Sequence, residues 1–108
     1  MAPDYKEQIL RRLTKDLLDI QLLRMIAREP TWGYKIKKNV ESNLGIKLRH
    51  GALYPTLNVL EQQGLLASQR QTETGRARKI YALTPRGKDF LEAYFAVLKD
   101  QLKNRPKP

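Results

Sequence analysis

A chain of 108 residues, 41% apolar and 30% charged, is long enough for one modest core and too apolar to stay disordered. There is no cysteine, one histidine (His50), no run of eighteen apolar residues and no secretory leader in Met1–Glu7. Disulfides, cofactors, thiolate or paired-histidine metal sites, thiol nucleophiles and membrane spans are therefore not expected, and a cytoplasmic location is. Twenty-one Lys and Arg against eleven Asp and Glu leave a net charge of +10, which suits a polyanionic partner because neutralising phosphates releases condensed counterions.

Asp4-Tyr5-Lys6-Glu7 reads as a capping box in which Asp4 and Glu7 satisfy each other's backbone N–H. Tyr5, Ile9, Leu10 and Leu13 follow at helical spacing. A second helix is expected from Thr14 to Arg28, apolar on nearly all sides and therefore central. Glu29-Pro30 ends it, because the residue before proline is pushed out of the α region. The next helix starts at Thr31 or Trp32 and runs to Asn43, with Ile36 and Val40 inward and Lys35, Lys37 and Lys38 outward. Gly45 suits a left-handed cap. Ile46-Lys47-Leu48 reads as a very short extended piece.

The following helix is expected over 50–63, with Leu53, Leu57 and Leu60 on its buried face. Pro55 inside it predicts a kink or a loose first turn. Leu65–Thr72 and Ala77–Leu83 read as strands around a Glu73-Thr74-Gly75-Arg76 turn, with Tyr81 and Leu83 inward. Thr84-Pro85 restarts a helix with a capping hydroxyl and an N1 proline, continuing to about Lys103.

Helices followed by a two-stranded ribbon describe a mainly α (α+β) winged helix-turn-helix. The expected map is one domain over 1–108. It comprises an N-terminal helix (1–13), a winged-helix core (14–84), a C-terminal dimerisation helix (85–104) and a tail (105–108).

Positive charge concentrates in two places: a net +4 over 35–49 and a net +5 over 70–88. On the helix 50–63, Gly51, Tyr54, Pro55, Asn58 and Gln62 lie opposite the leucines, offering a phenol and an amide to a major groove. On the ribbon, with the wing taken as 70–81, Arg76, Arg78 and Lys79 crowd beside Gly75 with Arg70 on the neighbouring strand. Such an arm can reach a minor groove, although charge on a hairpin edge also guards against aggregation. Asp16 with Asp19, and Glu61 with Gln62, read as ordinary helix-surface residues rather than an acid–base pair, so an enzyme is not expected.

These residues also resemble a known family, the PadR-like transcriptional regulators. The resemblance covers about Leu17 to Leu91. It rests on Leu22-Leu23-Arg24-Met25-Ile26-Ala27-Arg28-Glu29-Pro30 leading into Gly33-Tyr34-Lys35-Ile36, and on Gly51-Ala52-Leu53-Tyr54-Pro55-Thr56-Leu57 with Leu60-Glu61 and Gly64-Leu65-Leu66. Its third part is Gly75-Arg76-Ala77-Arg78-Lys79-Ile80-Tyr81-Ala82-Leu83-Thr84 with Gly87. The resemblance implies prokaryotic repressors that bind pseudo-palindromic double-stranded DNA as homodimers, many of them responsive to small aromatic or lipophilic effectors. Two features depart from it. Members often carry Ser or a similar cap before the recognition helix, where this chain has Arg49-His50, and only one helix follows the wing, as in a short member.

The expected DNA-binding residues are thus Lys35, Lys37, Lys38, Arg49, His50, Gly51, Tyr54, Asn58, Arg70, Arg76, Arg78 and Lys79. His50 is read as a phosphate or solvent neighbour rather than a proton switch. On the last helix Phe90, Leu91, Tyr94, Phe95, Val97, Leu98 and Leu102 span about 160°, more than one subunit's core can cover. Phe90, Leu91, Tyr94, Phe95, Leu98 and Leu102, with Tyr5, Ile9 and Leu13, are the expected homodimer interface, and an effector pocket would have room only there. Trp32 reads as a core anchor over an effector contact. The alternative is a winged-helix module that binds protein or RNA within a transcription assembly.

Overall fold

The structure, a computed structural model, describes residues 3–49, 51–73 and 75–107. Among these residues, five helices and a three-stranded antiparallel sheet follow one another as α1 (Tyr5–Asp16), α2 (Leu18–Arg28), β1 (Thr31–Trp32), α3 (Gly33–Leu44), α4 (Leu53–Gln62), β2 (Leu66–Glu73), β3 (Arg76–Leu83) and α5 (Pro85–Lys103). The fold is the winged helix: mainly α, with a β wing.

Only half of the capping box forms at the start of α1. Asp4 Oδ1 accepts the Glu7 N–H at 3.0 Å, but the Glu7 carboxylate turns away to Arg11 at 2.8 Å. The break before the central helix falls at Leu17, not at Thr14. The Thr14 hydroxyl donates to the Leu10 carbonyl at 2.8 Å and so stays inside α1. From there α2 is buried around most of its circumference, with Leu22, Leu23 and Ile26 fully enclosed. Ile36 and Val40 of α3, Leu53, Leu57 and Leu60 of α4, and Leu66, Tyr81 and Leu91 pack around it. Each such side chain contributes about 1.5–3 kcal/mol on leaving water.

Two corrections concern the strands. Thr31-Trp32 does not begin a helix but forms β1, pairing Thr31 with Tyr81 and Trp32 with Ile80, so the sheet order is β1-β3-β2. Residues 46–48 form no strand. Their backbone is instead held from the side, where the Leu48 N–H donates to Glu41 Oε2 at 2.7 Å, and Ile46 and Leu48 turn into the core. The strand preference of this segment loses to a carboxylate supplied by α3.

The junction of α4, the sheet and α5 is tied by Thr84. Its hydroxyl accepts the Gly87 N–H at 3.0 Å and donates to the Gly64 carbonyl at 2.6 Å, capping α5 and closing the end of α4 together. Gly87 lies so close to this junction that a Cβ there would fall 2.2 Å from the Leu65 carbonyl oxygen. Only glycine lets α5 leave the sheet at that point.

Candidate nucleic-acid interface

The helix expected from residue 50 begins at Leu53, with Ala52 as an N-cap that makes no side-chain hydrogen bond. Pro55 therefore sits in the first turn, where its missing N–H has no intrahelical partner to lose. No kink is needed, and the first intrahelical bond runs from the Thr56 N–H to the Ala52 carbonyl at 3.4 Å. His50, one of the expected contact residues, lies outside the described residues. Arg49 and Gly51 are exposed before α4, and Asn58 is exposed on it.

Tyr54 is 51% exposed, but its ring also closes over the start of α3. A Cβ on Gly33 would lie 2.7 Å from Tyr54 Cε1. The tyrosine thus couples the two helices of the helix-turn-helix while keeping half its surface in solvent. Spacings of four and three residues put Tyr54, Asn58 and Glu61 on one stripe of α4.

That stripe adjoins the wing. Glu61 accepts a short hydrogen bond from the Ser68 hydroxyl of β2 and pairs with Lys79 Nζ of β3 at 3.0 Å. These two donors, Ser68 before Lys79, hold the Glu61 carboxyl below the usual glutamate range, and the same contact pushes Lys79 upward. Burial pushes the Tyr81 phenol up, opposed by nearby Lys79 and reinforced by Glu61 and Tyr54. Glu61 is accordingly a strut between α4 and the wing, not the plain surface acid expected from the sequence.

The pleat divides the basic cluster of the wing. Cross-strand partners share a face, and Arg70 is paired with Lys79, Gln71 with Arg78. Arg70 and Lys79 therefore stand on the face that holds Tyr81 and Leu66, toward α4. Arg76 and Arg78 stand on the other face, with Trp32 and Ile80. The three cations that crowd together in the sequence point to two sides of the ribbon. The Arg78 guanidinium stacks 4.5 Å from the Trp32 ring centre, and Lys35 Nζ approaches the same ring at 5.3 Å. Trp32 is a half-buried edge residue gripped by two cations, not a core anchor.

Of the α3 lysines, Lys35 also pairs with Glu29 at 3.2 Å and Lys38 lies 5.4 Å from the Tyr34 ring. Lys37 is half-buried. Among the described residues no group of three His, Cys, Asp or Glu is arranged to hold a metal ion, and no helix is long and apolar enough to cross a membrane.

A family model for the transcriptional regulator PadR-like family matches residues 22–93. This chain belongs to that family. The PadR-like stretch runs from α2 through the wing into α5 and so contains both faces just described. It is 47% identical over 50 residues to the transcriptional regulator Rv3488 of Mycobacterium tuberculosis, the match covering 46% of this chain and 47% of that protein, about half the length of the relative. Two solved PadR family regulators have similar structures. The one from Clostridium difficile R20291 is 31% identical with a TM-score of 0.74, covering 80% of this chain and 91% of its own. The one from Eggerthella lenta DSM 2243 is 32% identical with a TM-score of 0.70, covering 95% and 96%.

On the side formed by its terminal helices, this PadR-like protein carries an apolar groove of about 490 Å³ between α1, α2 and α5. Leu13, Phe90, Tyr94 and Leu98 line it together with Leu17, Ile20 and Val97. Tyr5, Ile9, Phe95 and Leu102 are exposed. Leu91 departs from the expected interface. It is 4% exposed within the subunit's own core, so it has almost no surface left for a partner.

Proposed function

We propose that the protein is a cytoplasmic, homodimeric repressor that binds a pseudo-palindromic operator, inserting α4 into the major groove and touching backbone or minor groove with the wing. The observation that carries this reading is the continuity of two surfaces. The Tyr54-Asn58-Glu61 stripe of α4 is joined to the inner face of the wing through the Glu61–Lys79 pair. Tyr54, Asn58, Arg70 and Lys79 can then address one duplex together, with Arg76 and Arg78 on the outer face of the same arm. Lys35, Lys37, Lys38, Arg49 and His50 would supply backbone contacts around them. Gly51 adds support. It has no positive φ, and a Cβ there would meet nothing within 4 Å. Neither conformation nor packing demands glycine, whereas close approach of a phosphate or base would.

The homodimer reading rests on the apolar groove along α5 and on the exposed apolar residues of α1. An apolar surface of that kind is unfavourable in water and is covered when a second copy packs its own terminal helices there. In this reading the winged-helix core, beginning at Leu17 rather than at residue 14, reads DNA, and residues 85–104 together with α1 hold the dimer. Selection of bound fragments from genomic DNA at physiological salt tests the whole reading. Enriched fragments should carry two half-sites about one helical turn, roughly 10 base pairs, or a multiple of it apart. Failure to enrich any duplex would overturn it.

A further inference from the structure

A second basic surface lies beside the start of α4 and shares only Arg49 with the contact set named above. A groove of about 440 Å³ runs between α1 and residues 46–49 with Ala52, with Arg11 and Lys15 on its α1 side and Lys47 and Arg49 on the other. No acidic side chain among the described residues lines it. Among the described residues, Glu7 is the one carboxylate within salt-bridge distance of these four cations, 2.8 Å from Arg11. The loop that carries Lys47 and Arg49 is fixed, because Glu41 holds the Leu48 N–H and Leu48 is buried. Its cations are therefore presented by a positioned backbone.

The charge changes sign at a definite edge. The neighbouring groove, on the far side of Lys15, is lined by Asp16 and Asp19 together with Pro55 and Val59 of α4. An anion running past the start of α4 is thus attracted on the 46–49 side and repelled on the other. At 100° per residue, Arg11 and Lys15 also lie nearly opposite Ile9 and Leu13 on α1. One helix carries an apolar face toward the α5 side and a basic face toward the start of α4.

We propose that Arg11, Lys15, Lys47 and Arg49 form a clamp for the phosphodiester backbone of DNA flanking the segment that α4 and the wing read, so that α1 is a DNA-binding element as well as a dimer element. The proposal rests on the DNA-binding reading above and extends the contacted duplex beyond it. Backbone cations of this kind add affinity without sequence preference.

The test uses the full chain, the exposed-site variants Lys15→Ala and Lys47→Ala and their double variant, and a duplex recovered by genomic selection, in a short form and one extended by a helical turn at each end. Affinities are measured across a salt series, with circular dichroism to confirm the fold. Each single variant removes one cation from each protomer of the dimer, so it should flatten the log–log salt slope by about 1.8 (about 0.9 per contact) and weaken binding about thirtyfold at 0.15 M salt, equally on every sequence. Wild-type protein should prefer the extended duplex, and the double variant should not. Wild-type slopes in both single variants, with the extended duplex still preferred, would overturn the clamp and leave the helix-and-wing reading standing. Absence of duplex binding by the wild-type protein would overturn both.

Discussion

Lys79 Nζ lies 3.0 Å from Glu61 Oε1, and this pair joins the inner face of the wing to the exposed stripe of α4. A two-stranded ribbon standing alone is marginally stable, so its angle to the helix must be set by contacts at its base. Tyr81 and Leu66 supply the buried part of that base, and Glu61, with Ser68 and Lys79, supplies the polar part.

Replacing Glu61 with Gln should lower stability at neutral pH by less than about 1 kcal/mol, the ceiling for a largely exposed ion pair. The folded pKa of Glu61 is lowered, so its contribution is fully present above the unfolded value of about 4.3. It is lost as pH falls through the lower folded value. Denaturant melts of wild type and Glu61→Gln should therefore differ at pH 7 and converge in acid. A difference independent of pH would mean that the carboxylate charge has no part in the strut.

Gly87→Ala and Gly33→Ala should differ although both are glycine-to-alanine changes at close contacts. At Gly87 the obstacle is the Leu65 carbonyl, part of the backbone at 2.2 Å. At Gly33 it is the half-exposed ring of Tyr54, which can swing away. Thermal denaturation should show Gly87→Ala losing about 3 kcal/mol or more and Gly33→Ala nearer 1. The Gly33→Ala loss should shrink in a Tyr54→Ala background, a non-additivity expected of residues in contact.

Leu98→Asp places a charge in the apolar groove of α5 while leaving Leu91 in the core. Sedimentation should show a dimer for wild type and a monomer for the variant, with unchanged helical content. Affinity for a two-half-site duplex should fall about 100-fold or more as the half-sites uncouple. A variant that stays dimeric would move the interface elsewhere.

Arg76→Ala and Tyr54→Ala should separate positioning from reading. Arg76→Ala should weaken binding on all sequences and flatten the salt slope by about one unit per half-site, about two for the dimer. Tyr54→Ala should change the ranking among operator variants. Equal weakening across them would reduce Tyr54 to its packing role over Gly33.

The order of the helices and the wing was legible from periodicity, from Pro30, and from Thr84-Pro85, because each of these acts locally. The short strand was not. Thr31-Trp32 becomes β1 only because β3 lies beside it, and residues 46–48 lose their extended pairing because Glu41 reaches them from seven positions away. In the candidate site, the residue types were readable but their sides were not all drawn out. Alternation alone separates Arg78 from Lys79, a signal that was present in the sequence. The Glu61 strut was hinted at only by its seven-residue spacing from Tyr54, and its partners come from another element. Leu91 could not be told from its apolar neighbours on the α5 wheel, since the share of that arc covered by α2 depends on how the helices cross.

Amide chemical-shift mapping of the protein with a duplex recovered by selection tests the central claim most directly. Expected are perturbations at residues 51–62 and along 70–79, on the inner face of the wing, in one continuous surface. Perturbations confined to the α5 side, with Tyr54, Asn58 and Arg70 unmoved, would contradict it.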